Sequence, residues 1–211
     1  MLFPAFLYLV TLCALALAQD VNLAEVKKAF NNAQIPGNLT LAFNPKVLLE
    51  VTFPQLSGTP ITLHAGIQLP RNATAGPPHF SVLGPAKRDP FVVAAVDLDA
   101  PTPQAPTSSQ IRHFLGGNFI KSPGQSSLLS NTTPAISEFR QPTPPAGSDP
   151  HRYVFLLFRQ SKDFNEQTLV TPTSPIQLFN ISQFSSAVGL GEPIGGTFML
   201  VGPPPPAIAV D

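Results

Sequence analysis

The chain has 211 residues and a formal net charge of zero, from 12 basic and 12 acidic side chains. That balance excludes the basic footprint of a nucleic-acid-binding surface, and the 11% of charged residues lies well below the about 25% of an average soluble domain. The 26 prolines disfavour long helices and favour short strands joined by stiff turns.

Residues 2–18 are apolar and uncharged and end in Ala16-Leu17-Ala18, the small-x-small pattern of a signal-peptidase site. The segment predicts cleavage after Ala18, and with it a location outside the cell or in the lumen of the secretory pathway or a vesicle. An N-terminal membrane anchor is the competing reading, but the segment is at the short limit for a span. Cys13, the only cysteine, lies inside it, so the chain beyond Ala18 has no disulfide.

Leu23, Val26, Ala29 and Phe30 recur at helical spacing and predict a helix over 21–33, stopped by Pro36-Gly37. Period-two or continuous apolar runs then predict strands at 39–43, 48–53, 61–69, 80–83, 91–98, 113–119, 136–139 and 152–159. Asn180 or Ser182 caps a short helix through Val188, and 195–201 reads as a last strand. We expect a signal peptide at 1–18, one mainly β domain at 19–202 and a proline-rich tail at 203–211. Asn38, Asn72, Asn131 and Asn180 each open an N-x-S/T triplet, which on a secretory chain marks a glycosylation acceptor. Asn131 is the weakest, because Pro134 follows its Thr133.

The chemistry gathers at strand ends. Asp97 and Asp99 close an apolar run, with Pro101 behind them, and His113 follows. His151 opens another apolar run after the proline-rich loop 140–150. Two aspartates two apart share one face of a regular strand, and Asp99-Ala-Pro also suits an Asx-turn. Each histidine alone reads as a buried core residue; together with the carboxylates they form a polar pocket. The spacing matches no zinc signature, so no metal or other cofactor is expected. A serine triad has no G-x-S-x-G elbow to support it. What remains is an anion site, in which His113 and His151 present N–H donors and the aspartates orient the rings from behind.

These residues resemble the phosphatidylethanolamine-binding protein family. Its first motif, D-P-D-A-P and then a His-containing strand, stands here as Asp97-Leu98-Asp99-Ala100-Pro101 and Arg112-His113-Phe114-Leu115. Its second, P-P-x-G-x-x-x-H-R-Y, stands as Pro144-Pro145-Ala146-Gly147-Ser148-Asp149-Pro150-His151-Arg152-Tyr153. Leu190 to Phe198 looks like the family's closing L-x-x-P-V-A-G-T-F strand. The resemblance implies a mainly antiparallel β-sandwich with short peripheral helices. It further implies an anion pocket lined or supported by Asp97, Asp99, His113, His151 and Tyr153. The chain departs from the family pattern at Leu98, at Arg112 and at Val188. The last two replace residues at the pocket rim and imply a more cationic, wider mouth.

Three roles follow from the resemblance. The first is a secreted binding protein for a small anion or a phospholipid head group. The second is an accessory protein or enzyme, partnered with biosynthetic enzymes, acting on maleic-anhydride-type intermediates in fungal secondary metabolism. The third is an inhibitor of a serine carboxypeptidase. The residues themselves identify no reaction, so a non-catalytic role is the leading expectation.

Overall fold

The computed structural model describes residues 19–85, 90–122 and 127–204. The segment expected to be a signal peptide, and residues 205–211 of the expected tail, lie outside the described residues.

Two sheets and a helical layer make up the fold. The larger sheet runs β3 (Ile67–Leu69), β9 (Gly195–Val201), β8 (His151–Arg159), β5 (Phe91–Asp97), β6 (Ile111–Lys121), β7 (Leu129–Asn131). Its pairings are antiparallel except β3 with β9. The smaller sheet is β2 (Ile61–Thr62), β1 (Leu48–Phe53), β4 (His79–Leu83). It packs through Leu49, Val51, Phe53, Phe80 and Val82 onto Val93, Ala95, Phe155 and Leu157 of the larger sheet. On the opposite face Val92, Ala94, Val96, Val154 and Leu156 meet α1 (Leu23–Asn32), α2 (Ile35–Leu39) and α3 (Ile181–Ala187). β5 is therefore covered on both sides. This is why its residues, all buried, read as an unbroken apolar run rather than an alternation. The same crowding excludes a side chain at Gly196, where a Cβ would lie 2.8 Å from the Phe155 carbonyl oxygen.

Three expected strands differ. The run 39–43 is not a strand: Leu39 ends α2, Thr40 takes a left-handed φ of 53°, and Phe43 folds back to stack on Phe30 at 3.9 Å. The run 61–69 divides between the two sheets, and the switch falls at Gly66, whose φ of +94° a residue with a Cβ rarely adopts. The run 136–139 makes one bridge, Ser137 to Leu115, and no ladder. Pro36-Gly37, expected to stop the first helix, lies inside α2, with Pro36 in the first turn where its missing N–H costs nothing.

Candidate functional site

β5 ends at Asp97, and the register sets Asp97 opposite Ile111 of β6 and Tyr153 of β8. Asp97, His151 and Tyr153 thus meet at one end of the sheet. Asp97 is 3% exposed and His151 1%. Oδ1 of Asp97 accepts the Asp99 N–H at 2.8 Å, so the Asx-turn belongs to Asp97 rather than to Asp99. Oδ2 accepts Nδ1–H of His151 at 2.9 Å. Tyr153 is near enough to the same carboxylate for the Asp97 charge to act on its hydroxyl. Burial first, and the Asp97 charge second, hold the Tyr153 pKa well above the ordinary phenol value, so this hydroxyl stays a neutral donor.

His113 reaches the same place through an irregularity in β6. Ala95 pairs with Phe114, yet Val96 pairs with Arg112, leaving His113 as the extra residue of a bulge that re-aims its ring. The backbone of Arg140 clamps it twice. Its N–H donates to the His113 carbonyl at 2.9 Å, and its carbonyl lies 2.8 Å from His113 Nδ1. The ring stands edge-on to Tyr153 at 5.0 Å. Burial lowers the His113 pKa below the ordinary imidazole value, and the Arg140 charge adds to the effect. The backbone bond to Arg140 and the charge of Asp97 oppose it.

Asp97, His113, His151 and Tyr153 line a cavity of about 560 Å³, with Ile111, Pro145 and Ile176 among its walls. Arg140, exposed to solvent, is the only arginine or lysine among the lining residues. A larger groove of about 910 Å³ runs along Leu69, Pro70 and Pro203 and shares Gln141 with the cavity. Its only charged side chain is Arg71. We place the site in the smaller cavity, because the buried ionisable groups converge there.

Asp99, Arg112 and Val188, expected at the pocket, do not line it. Residues two apart share a face only while a strand continues, and β5 stops at Asp97. Asp99 instead faces Arg152, accepting from its backbone N–H at 2.7 Å, from Nε at 2.9 Å and from Nη2 at 2.6 Å. Arg152 Nη1 continues to the Ala33 carbonyl at 2.5 Å and to Asn38 Oδ1 at 2.9 Å. Arg112 adjoins His113 on β6, so its side chain leaves the other way. Its guanidinium donates to Ser137 Oγ at 2.7 Å and to the carbonyls of Ser174 and Pro175, and it lies 5.0 Å over the Phe179 ring. Val188 caps α3 and is buried in the helix-side core, so neither residue makes the mouth more cationic or wider.

The sequence reading missed Arg140 and Ser148. Ser148 Oγ lies 2.9 Å from His151 Nε2, completing a Ser148–His151–Asp97 chain where no serine triad was expected. The same hydroxyl has the Asp149 carbonyl at 2.8 Å as a second partner for its single hydrogen, and the Ser148 N–H is tied to the Pro145 carbonyl at 3.1 Å. Ser148 therefore orients His151, and its own N–H is not free to stabilise an oxyanion. The only signal for either residue was the stiff loop 140–150 that delivers His151.

The four candidate glycosylation asparagines are exposed. Asn180 also caps α3, its Oδ1 accepting the Gln183 N–H at 2.9 Å. Among the described residues no group of three or more His, Cys, Asp or Glu is placed to hold a metal ion, and no helix is long and apolar enough to cross a membrane.

The family described as phosphatidylethanolamine-binding protein matches residues 57–198. The chain belongs to this family. It is 28% identical to Protein BROTHER of FT and TFL 1 of Arabidopsis thaliana over 78% of this chain and 85% of that protein. A shorter match, 40% identical over 65 residues, links it to Phomoidride biosynthesis cluster protein N of Fungal sp. (strain ATCC 74256) and covers 28% of this chain and 29% of that protein. Among solved structures, the carboxypeptidase Y inhibitor complexed with its cognate proteinase superposes with a TM-score of 0.72 at 20% identity, covering 86% of this chain and 96% of that one. This likeness shows the shared fold: a mainly β architecture of two sheets with short helices.

Proposed function

We propose that the protein binds a small anionic ligand, a phosphate-bearing head group or a carboxylate, in the cavity at the end of β5, β6 and β8. The observation that carries the reading is Arg140 at the edge of a preformed polar cavity, near enough for its charge to act on His113, since arginine matches the planar geometry of carboxylate and phosphate. Asp97 does not stand there as a bare opposing charge. Two donors meet it: the Asp99 N–H and His151 Nδ1–H. His113 and Tyr153 are held by backbone and ring contacts before any ligand arrives, which lowers the ordering cost of binding. Passage through the secretory pathway, with glycans on exposed asparagines, is part of the same reading.

The test is a calorimetric titration of the protein with phosphate, phosphoethanolamine and an alkyl maleate, beside Arg140→Ala and His113→Ala. Saturable binding weakened by about tenfold or more in each variant supports the reading. An absence of binding to all three probes sinks it. A second reading, an accessory role in secondary-metabolite biosynthesis, is favoured by the similarity to the phomoidride-cluster protein and predicts preference for the alkyl maleate. Inhibition of a serine carboxypeptidase rests on fold analogy alone. It moves to first place if no anion binds, and its mark is loss of peptidase activity at near-stoichiometric ratios.

A further inference from the structure

We infer that the cavity selects an anion that still carries a hydrogen-bond donor, such as hydrogen phosphate, a singly protonated phosphate monoester or a dicarboxylic half-acid, and rejects fully deprotonated oxyanions. The inference rests on the anion-binding reading above and narrows its ligand class.

The hydrogens on two imidazoles decide what the cavity offers. The Arg140 carbonyl can only accept, so the nitrogen 2.8 Å from it, His113 Nδ1, carries the hydrogen. A neutral imidazole has one N–H, which leaves Nε2 as a lone pair. Among the described residues no hydrogen bond uses that atom, yet no buried polar side-chain atom is left without a partner. His113 is only 7% exposed and lines the cavity, so Nε2 opens into it. His151 offers nothing comparable. Its Nδ1 is spent on Asp97 and its Nε2 on Ser148. Asp97 contributes a carboxylate, which only accepts. The two imidazoles and Asp97 therefore turn acceptors to the cavity beside the Arg140 cation, rather than the two N–H donors expected from the sequence.

The charged state of His113 is set by the groups around it. Asp97 on β5 favours the imidazolium; Arg140 on the loop and His151 on β8 oppose it, as does burial. Tyr153 on β8 stands edge-on and neutral. The outcome is a neutral ring at neutral pH. A ligand oxygen with no hydrogen then sets lone pair against lone pair at Nε2. A ligand with an O–H donates and is held.

Phosphate and sulfate isolate this one feature. At about pH 7.5 phosphate is mainly a dianion that keeps one hydrogen, and sulfate is a dianion with none. The attraction to Arg140 is nearly the same for both. Calorimetric titration at about pH 7.5 is expected to give phosphate an advantage of at least about tenfold, the size of leaving a buried acceptor unpaired. As pH falls below the ordinary imidazole range of about 6.5, His113 gains an Nε2–H and sulfate affinity rises, closing the gap. His113→Gln, whose amide turns to offer either a donor or an acceptor, loses the discrimination at about pH 7.5 while still binding. Nitrogen-15 NMR of the His113 ring supplies an independent readout: a neutral Nδ1–H tautomer is expected.

Equal binding of phosphate and sulfate at about pH 7.5 overturns the inference and leaves anion binding standing. Discrimination that persists in His113→Gln overturns its assignment to Nε2. Failure of both phosphate and sulfate to bind overturns the inference, and if phosphoethanolamine and the alkyl maleate also fail to bind, the anion-binding reading falls with it.

Discussion

Asp97 and Asp99 head two polar networks separated by a single leucine, and the two networks are finished to different degrees. On the Asp99 side the carboxylate is fully matched by its cation. Arg152 supplies three donors to the carboxylate and spends Nη1 on the end of α1 and on Asn38 of α2. On the Asp97 side the carboxylate and His151 are equally buried and equally bonded, but the network ends at His113 with one nitrogen facing a cavity. Closed networks fix a fold; a network with one open, directed valence is available to a ligand. The comparison assigns stability to the Asp99 side and binding to the Asp97 side, and each assignment is open to measurement.

The largest effect is expected from Arg152→Ala. It leaves Asp99, 1% exposed, as a buried charge without its cation, at a cost of about 3–5 kcal/mol in chemical denaturation. Arg152→Lys is expected to rescue only part of this, because an ammonium cannot reproduce the fork. Molecules of either variant that remain folded should bind ligand nearly as well as the parent. A large loss of affinity at full folding would break the division of labour.

Asp97→Ala comes next, at about 2–3 kcal/mol, because His151 Nδ1 and the Asp99 N–H lose their acceptor in a buried setting. Unlike Arg152→Ala, it should also remove ligand binding, since the Tyr153 hydroxyl and the His151 ring lose their orientation. Preserved affinity in a folded Asp97→Ala protein would show that the Asp97 network is merely structural.

His113→Ala sharpens the contrast through pH. The folded-state pKa of His113 is lowered by burial, so its neutral form is the one the fold favours. The stability contribution is present above the unfolded value of about 6.5 and is lost as pH falls through the lowered folded value. Stability measured against pH should therefore decline on the acid side of about 6.5, and His113→Ala should flatten that decline. Tyr153 acts in the opposite direction. Its pKa is raised, so its contribution is present below the ordinary value of 10.0 and is lost as pH rises above it. A His113→Ala protein with an unchanged acid limb would place the pH sensitivity elsewhere, and not at Asp20 or Glu50, whose pKa burial raises, because their protonation favours the fold as pH falls.

How much of this was legible follows from where each residue takes its partners. β1, β5, β8 and β9 were readable because long apolar runs and paired turns determine them locally. The run 39–43 alternates like a strand, but its partner is the Phe30 ring of α1, a contact no local pattern encodes. Asp97, His113, His151 and Tyr153 were found because strand ends and a family motif mark them. Asp99 was placed with Asp97 because the end of β5 depends on which residue the chain turns at. Arg112 and Val188 were placed at the mouth by position in the motif, whereas strand alternation and helix packing turn them away from it. The His113 tautomer was invisible, since it depends on the Arg140 carbonyl returning from 27 residues away.

The smallest effect belongs to Ser148→Ala, and it separates two meanings of the Ser148–His151–Asp97 chain. If the serine only orients the ring, removing its hydroxyl costs about 1 kcal/mol. The ligand is little affected, because His151 still has Asp97 at Nδ1 and offers the cavity no nitrogen. The half-exposed position of Ser148 lets water take the place of Oγ at Nε2, which keeps the cost low. A nucleophilic serine would behave otherwise. Stability would barely change, while covalent labelling by a fluorophosphonate probe would appear in the parent and vanish in Ser148→Ala. The existing bonds of the Ser148 hydroxyl and N–H to the Asp149 and Pro145 carbonyls predict no labelling in either protein, and a labelled parent would show that the Asp97 side is open at a second point.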